Sequence, residues 1–292
     1  MKIKQISPQK NDFTKVLEDI AVMPKILYYY GEWPEKREKT VAIVGSRRST
    51  KYGDDIAYKL GYELGKRGII VVSGLAYGID SVAARGALDG GGKTIAILGT
   101  EIGNIYPKRH ESLAKKIVEK GGVVASEYEN GAKLDPKWSF LQRNRIISGL
   151  ADAVVVVEAA ERSGSLNTAA HALVQGKDLF AVPGDLGKNM SKGCNRLIQK
   201  GANVFLGVDE FLRYLIPVES EKRGKRKGEQ ISLFGDTPEE TAILKLMEEG
   251  IKDGDLMMEK LEMSMAEFNQ AVTMLELKNV IKPLGANHWI LA

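Results

Sequence analysis

Short apolar runs alternate with helical patterns from residue 41 to residue 205. The runs are continuous rather than alternating, which is typical of strands buried on both faces. They lie at Val41–Val44, Ile69–Val72, Thr94–Leu98, Val123–Ala125, Val154–Val157, Leu179–Val182 and Asn203–Phe205. The helical patterns between them include Asp54–Arg67, Ile79–Leu88, Arg109–Lys120, Gln142–Leu150 and Asn167–Gln175. This order predicts an α/β fold, a parallel sheet with helices on both faces whose strand carboxyl ends share one edge.

A second helical region follows a charged, glycine-containing stretch that interrupts every apolar period and is predicted to be a linker. Its helical patterns are Pro238–Glu249, Asp255–Leu261 and Ala266–Lys278, and a short hairpin turns at residues 285–287. Three helices followed by a hairpin are typical of a winged-helix domain. The predicted domains are an N-terminal extension packed on the core at 1–40, the sheet domain at 41–218, the linker at 219–235 and the winged helix at 236–292.

The composition is that of an ordinary globular protein, with 43% hydrophobic and 27% charged residues among 292. The single cysteine, Cys194, excludes a disulfide framework and a multi-cysteine metal site. With three histidines besides, we predict neither a metal nor a cofactor. Residues 1–10 contain no apolar run typical of a secretory signal, and no stretch has the length of a membrane span. We therefore expect a cytoplasmic protein with no membrane partner.

Charge is distributed unevenly along the chain. Residues 236–292 carry five lysines against eleven acidic residues, a net charge of −6, whereas residues 1–218 carry +8. A polyanion would therefore bind the first part of the chain rather than the last.

Small residues follow most of the predicted strands. Gly45, Gly74, Gly99, Gly164 and Gly184 each lie just beyond a strand or in the loop after it. Glycines let backbone N–H groups approach a ligand, and the helix amino ends at such positions favour anions. Because these loops meet at one edge of the sheet, they predict a broad phosphate-binding surface. The alternative is that the glycines only permit tight turns and close packing.

The sequence from Phe140 to Arg145 is predicted to open a helix, which places Arg143 and Arg145 in its first turn. Two cations there oppose the helix dipole, so a phosphate or a buried carboxylate should compensate them. We expect one arginine to bind phosphate and the other to pair with a carboxylate such as Glu127 or Glu158. Phe140 next to Lys137 suits base stacking on a single strand, although a lone aromatic residue is often part of the core.

Two nucleotide-binding motifs are absent. Arg47 stands where the dinucleotide fingerprint that begins at Gly45 needs its second glycine. The triplet Gly92-Lys93-Thr94 leads into a strand rather than the helix that a P-loop requires. No Ser/His/Asp, Cys/His or paired-carboxylate set is visible at a useful spacing. We therefore predict no catalytic residue and disfavour an NAD oxidoreductase and a P-loop hydrolase.

Eight motifs, in this order and spacing, resemble the DNA-processing protein DprA (Smf) family. They are GSRRSTKYG at 45–53, SGLAYGID at 73–80, YP at 106–107, SEY at 126–128, FLQRNRIISGLAD at 140–152, RSGSLNTA at 162–169, FAVPG at 180–184 and GCNRLIQKGA at 193–202. The resemblance implies an extended Rossmann-like domain that binds single-stranded DNA and forms a homodimer. It also implies RecA recombinase as a partner, which such proteins help to load onto incoming DNA during natural transformation.

The resemblance implies DNA contacts at Ser46, Arg47, Lys108, Lys137, Phe140, Arg143 and the Gly164-Ser165 turn. Together with the loops and the arginine-containing helix, the candidate set becomes Gly45, Ser46, Arg47, Gly74, Lys108, Lys137, Phe140, Arg143, Arg145, Gly164, Ser165, Thr168 and Gly184. One departure is Glu101, a carboxylate where relatives usually have glycine, which could weaken phosphate contact locally.

Two other functions remain as alternatives. The glycine pattern also resembles that of nucleotide phosphoribohydrolases, but the Gly164 to Thr168 segment is not followed by the carboxylate that such hydrolysis needs. A transcription factor would need a basic recognition helix, whereas Ala266–Lys278 contains Glu267 and Glu276 and a single terminal lysine. We expect the acidic winged helix to contact a protein rather than DNA.

Overall fold

A computed structural model describes residues 2–216, 237–278, 280–285 and 287–291. The chain divides into two compact units, Met1–Glu219 and Ser220–Ala292. The predicted linker at 219–235 lies outside the described residues and stays a prediction. None of the helices in these ranges combines the length and the apolarity needed to cross a membrane.

A nine-stranded sheet is the centre of the first unit, with strand order β1-β2-β6-β5-β4-β3-β7-β8-β9. The seven strands from β6 to β9 in that order are parallel, and β1 and β2 join antiparallel beside β6. Their bounds are β1 Lys4–Ile6, β2 Leu27–Gly31, β3 Thr40–Val44, β4 Ile70–Ser73, β5 Thr94–Ile97, β6 Val123–Ser126, β7 Ala153–Val156, β8 Asp178–Ala181 and β9 Asn203–Val204. The predicted α/β fold is confirmed, and each predicted strand is present to within a residue or so.

Seven α-helices in the described part of this unit cover both faces of the sheet. Val41 and Ile43 of β3 face a core shared with α1, α2 and α7, whereas Ala42 and Val44 face a core shared with α4 and α5. The bounds are α1 Lys51–Lys66, α2 Ile79–Asp89, α3 Glu111–Glu119, α4 Pro136–Leu150, α5 Ser165–Val174, α6 Lys192–Gln199 and α7 Val208–Leu215. Burial on both faces explains why the strands are continuously apolar in sequence.

The first 40 residues contribute β1, β2 and two short 3-10 helices. Phe13, Leu17 and Leu27 are fully buried in the core that also contains α4. The sequence pattern did not indicate these two strands, because β1 has three residues and β2 is rich in tyrosine rather than aliphatic side chains.

The start of α4 differs from the prediction. The helix begins at Pro136 rather than Gln142, and the side chain of Asp135 caps it by accepting a hydrogen bond from the Lys137 N–H at 2.9 Å. Proline at the first helical position after an aspartate cap is a favourable start. Arg143 and Arg145 therefore lie in the middle of the helix, and the argument from the helix dipole is wrong.

The order in which strands are added to the sheet reverses at β3. From β3 the sheet grows to one side through β4, β5 and β6, and to the other side through β7, β8 and β9. The connections that follow β3 and β7 therefore leave the sheet on opposite faces and open a crevice between the two strand ends. Ligands bind at such a switch point in open parallel sheets.

The second unit contains three helices and a two-stranded antiparallel sheet. The helices are α8 Pro238–Glu248, α9 Gly254–Leu261 and α10 Met265–Leu277, and the strands are β10 Ile281–Gly285 and β11 His288–Leu291. Ser264 and Glu267 form a capping box at the start of α10. Ile243, Phe268 and Leu275 are buried in a core of this unit's own. The winged-helix assignment stays a prediction.

Close contact between α1 and α2 depends on glycine. Gly61 and Gly65 of α1 face the backbone of Ala83 and Ala87 of α2, so that a β-carbon at either glycine would overlap backbone atoms. The absence of side chains lets the two helix backbones approach closely, and α1 is thereby held over the face of the sheet that its buried Leu60 and Leu64 cover.

We expect Gly65→Val to destabilise the first unit by about 3 kcal/mol, because backbone atoms of α2 cannot move aside as a flexible side chain can. Denaturant unfolding followed by circular dichroism measures the change. Lys59→Val places the same side chain at an exposed position of α1 and should cost well below 1 kcal/mol. Equal losses for the two variants would show that close helix packing at Gly65 does not matter.

Candidate nucleic-acid interface

A cavity of about 970 Å³ opens at the carboxyl edge of the sheet, at the switch point between β3 and β7. Its walls are the loop after β3, the loop after β7, the first turns of α4 and α5, and the loop after β5. We refer to it as the strand-end cavity. Its position follows from the topology, since parallel strands bring all these loops to one edge.

Hydrogen bonds at both ends hold the loop after β3 in one conformation. Ser46 is buried, its hydroxyl accepts a hydrogen bond from the Arg48 N–H at 3.0 Å, and its carbonyl accepts one from the Ile79 N–H at 3.2 Å. Thr50 caps α1, and the buried carboxylate of Glu158 accepts hydrogen bonds from the Thr50 N–H at 2.8 Å and hydroxyl at 2.5 Å. The loop is therefore fixed at both ends, while the side chain of Arg47 between them is exposed.

Phe140 is the centre of an aromatic and cationic group in the cavity. The guanidinium carbons of Arg47 and Arg143 lie 5.3 Å and 5.8 Å from its ring centroid. Tyr106 meets the same ring edge to face, with 5.5 Å between centroids. Gly99 lies so close that a β-carbon there would come within 2.6 Å of Phe140 Cδ1. The ring is thus fixed in orientation by its neighbours and is not part of the hydrophobic core.

Arg143 reaches the cavity from a buried position on α4. Its guanidinium donates to the carbonyl of Gly74 at 2.8 Å and to the carbonyl of Ile97, and its Nε donates to Asn144 Oδ1 at 3.1 Å. Burial lowers the pKa of Arg143 to about 10, an effect that the charge of Asp80 opposes and that of Arg47 reinforces. Arg143 is therefore still a cation at neutral pH.

Asp80 lies at the base of the cavity, with 5% of its surface exposed. Its carboxylate accepts a hydrogen bond from the Gly74 N–H at 2.9 Å. Burial raises the pKa of Asp80 above its ordinary value, and the positive charge of Arg143 and the hydrogen bonds oppose this rise without cancelling it. The charge of Asp80 acts on Arg143 beneath the cavity, whereas Arg47 forms no ion pair within the described residues.

The amino end of α5 forms the opposite wall. Gly164 is its N-cap and supplies no side-chain cap, and Ser165 and Thr168 line the cavity. Asn144 of α4 donates through Nδ2 to the Gly164 carbonyl at 3.3 Å and to Asn167 Oδ1 at 3.1 Å. The side chain next to Arg143 therefore sets the position of the α5 amino end, which favours an anion.

Nine of the thirteen predicted site residues line the strand-end cavity, namely Gly45, Ser46, Arg47, Lys137, Phe140, Arg143, Gly164, Ser165 and Thr168. Four do not. Lys108 is exposed in a short 3-10 helix after Tyr106 and Pro107. The N–H and carbonyl of Gly74 are bonded to Asp80 and Arg143, and those of Gly184 are bonded to Asn195.

Arg145 is a structural residue, which corrects its inclusion in the phosphate-binding set. Its guanidinium forms two hydrogen bonds with the carboxylate of Glu127, at 2.9 Å and 2.6 Å, and others with the carbonyls of Val22 and Gln142 at 2.8 Å. Glu127 was one of the two carboxylates expected for this role. The other, Glu158, is bonded to Thr50 instead.

Several cavity residues were not among the sequence-predicted site residues. Asp80 and Tyr106 belong to the SGLAYGID and YP motifs, but nothing in the sequence indicated that their side chains line the cavity. Arg48 and Arg162 also line the cavity. Both arginines lie close in sequence to a glycine that follows a strand. Counting every cation near the strand ends would have included them.

Residues 4–216 match the protein family described as DNA recombination-mediator protein A. Protein Smf of Escherichia coli (strain K12) is 42% identical over 193 residues, which cover 66% of this chain and 51% of that protein. DNA processing protein DprA of Streptococcus pneumoniae is 42% identical over 188 residues, which cover 64% of this chain and 66% of that protein. The chain thus matches about half to two thirds of the length of these relatives.

Two solved structures share the fold and much of the sequence. The DNA processing protein A of Streptococcus pneumoniae superposes with a TM-score of 0.64 at 39% identity, covering 73% of this chain and 74% of its own. A structure of DNA processing protein A from Helicobacter pylori, which describes a single-stranded DNA binding mode, gives a TM-score of 0.65 at 32% identity, covering 74% and 97%.

We expect Arg145→Met to destabilise the first unit by about 3 kcal/mol, because the carboxylate of Glu127 is then left mostly buried without its partner. The double variant Arg145→Met/Glu127→Leu removes both charges and should recover much of that loss. Thermal unfolding by calorimetry measures both changes. A single variant as stable as the wild type would contradict the structural assignment.

Proposed function

This chain belongs to the DNA recombination-mediator protein A family, and we propose that it binds single-stranded DNA in the strand-end cavity. We propose further that it protects incoming single strands and helps to load the RecA recombinase onto them during natural transformation. The observation that carries the DNA-binding proposal is the group around Phe140, an aromatic ring with an exposed arginine beside it, both lining the strand-end cavity.

The phosphates of the strand would lie against Arg47, Lys137 and the amino end of α5. All of these line one cavity, and the N-cap residue of α5 is Gly164, which has no side chain to cap the helix. A guanidinium donates to phosphate oxygens in two parallel hydrogen bonds, and the exposed side chain of Arg47 is therefore suited to phosphate.

A base would stack on or near the ring of Phe140. Stacking on an aromatic ring is tolerant of sequence, because every base has a π-face. The Asn144 amide is already engaged with α5, and the other polar groups of the cavity suit phosphate. We therefore propose binding without base preference.

The action we propose is binding without catalysis. The carboxylates of Asp80 and Glu158 are turned to the backbone and to Thr50, where they support Arg143 and the loop after β3. This arrangement supports a positioning role for both, and a hydrolytic reading would require one of them to be released.

We also propose a homodimer formed through the first unit, in the cytoplasm. Large apolar side chains of this unit are exposed, with 81% of Val174, 83% of Leu186 and 68% of Leu206 open to solvent. A contiguous apolar patch is typical of a protein–protein interface, and these side chains are the candidates for one. Such a dimer would present two strand-end cavities to one strand and so raise the affinity for long DNA.

We expect Arg47→Ala to weaken binding of an oligothymidine and to lower the slope of log affinity against log salt by about 0.7, the value for one lost phosphate contact on a single strand. Fluorescence anisotropy at several salt concentrations, with a duplex of matched length beside the single strand, measures both quantities. Arg67→Ala is the control, because Arg67 lies at the far end of α1, roughly 24 Å from the cavity along the helix.

Binding of neither DNA form at low salt, or tighter binding of the duplex, would contradict the proposed function. Equal losses for Arg47→Ala and Arg67→Ala would place the DNA elsewhere on the basic unit.

We expect Gly99→Ala to weaken single-strand binding about tenfold without changing the salt slope, because the new methyl group displaces the ring of Phe140 and leaves every charge in place. The same anisotropy titrations test this, with thermal unfolding to confirm that the variant is folded. A changed salt slope, or unchanged affinity in a folded variant, would show that the orientation of Phe140 does not contribute to stacking.

A further inference from the structure

A second cleft, of about 550 Å³, lies on the other side of the loop that follows β3. Arg47 and Arg48 line both this cleft and the strand-end cavity, so the loop forms a ridge between the two. Arg85 of α2 and Arg109 complete a set of four arginines around it. We refer to it as the arginine cleft. Neither Arg85 nor Arg109 is part of the DNA contacts proposed above.

The four guanidinium groups form no ion pair within the described residues, and one carboxylate lines the cleft with them. Arg47, Arg48, Arg85 and Arg109 are exposed. The ion pairs that arginines form in that part of the chain belong to Arg37, Arg67, Arg145 and Arg196. The carboxylate in the cleft, that of Asp54, accepts a hydrogen bond from the Ser49 hydroxyl at 2.5 Å. The cleft therefore carries a concentrated positive charge, which attracts anions.

The arginines stand on firmly packed elements. Arg85 is on α2, and Arg109 is in the 3-10 helix Lys108–His110. His110 joins this 3-10 helix to the loop before α2, because its Nδ1 donates to the Leu75 carbonyl at 2.8 Å and its ring meets Tyr77 edge to face at 5.1 Å between centroids. Charges at fixed positions bind an anion at a smaller entropic cost than charges on a mobile loop.

The chemistry of the cleft differs from that of the strand-end cavity. The cavity offers the ring of Phe140 for stacking, whereas the cleft offers arginines and the amino end of α2, which has no side-chain cap. Arginine forks match phosphate oxygens. The cleft is therefore suited to the phosphodiester backbone rather than to the bases.

We propose that the arginine cleft binds phosphates of the same single strand after it crosses the Arg47–Arg48 ridge, and so extends the bound segment beyond the nucleotide at Phe140. This proposal rests on the proposed function, since it needs a strand in the strand-end cavity. Arg47 then serves both sides of the ridge, and Arg85 and Arg109 bind only the extension.

The test compares wild type with Arg85→Gln/Arg109→Gln across oligothymidines of increasing length, from four to about thirty nucleotides. Short strands that fill only the strand-end cavity should bind both proteins equally. Above a threshold length the double variant should bind about tenfold more weakly, with a salt slope lower by about 1.4, which corresponds to two lost phosphate contacts. Arg85→Lys/Arg109→Lys keeps the charges and should retain most of the slope.

Three results would overturn the proposal. The first is wild-type affinity and slope for the glutamine variant at every length. The second is a loss of equal size at every length, which would place both arginines at the first nucleotides. The third is a loss no larger than that of Arg67→Gln, which would show a general effect of net charge. If the wild type binds no single strand at all, the proposed function fails first, which is a distinct outcome. Unfolding curves confirm that both variants are folded.

Discussion

A buried guanidinium joins the parts of the first unit that form its site. Arg143 comes from α4, and its hydrogen bonds reach the carbonyls of Gly74 after β4 and Ile97 in β5. Desolvation of an arginine is costly, and these carbonyls together with the nearby charge of Asp80 offset that cost. Because the same side chain lies beside the ring of Phe140, the position of the aromatic ring depends on the two strand ends being in register.

The arginines of this unit fall into two groups according to whether a carboxylate satisfies them. Arg145 donates four hydrogen bonds to Glu127 and to backbone carbonyls, and it holds the N-terminal segment to α4 through Val22. Arg47 has a ring beside it and no carboxylate partner in the described residues. Arg145 cannot serve both roles, because four of its five N–H donors are committed to Glu127, Val22 and Gln142 and a single one is left for a phosphate.

The sequence predicted the sheet well because strands buried on both faces leave a strong apolar signal, as Val41–Val44 does. It predicted most of the cavity because the carboxyl ends of parallel strands meet at one edge of the sheet, where Gly45 and Gly164 line the cavity. The predicted start of α4 was wrong, because the aromatic residues Trp138 and Phe140 were not recognised as part of a helix that begins at Pro136 after an aspartate cap. The sequence predicted separate roles for Arg143 and Arg145 but not which of them pairs with a carboxylate, since residues two apart on a helix point in different directions and only the packing decides which meets Glu127. The arginine cleft is lined by residues of α2 and of the segment before α3, and no local sequence pattern predicts that these two segments lie side by side.

The reversal at β3 has a consequence for how the chain acquires its activity. The cavity needs the loop after β3 and the loop after β7, which are separated by more than one hundred residues along the chain. During synthesis, β3 is an unpaired edge until β7 emerges and adds beside it. A shortened chain that ends before β7 would therefore retain the β6-β5-β4-β3 half of the sheet, lack one wall of the cavity, and expose an apolar strand edge. Addition of β7 thus completes the cavity and covers the apolar edge of β3 at the same step of folding.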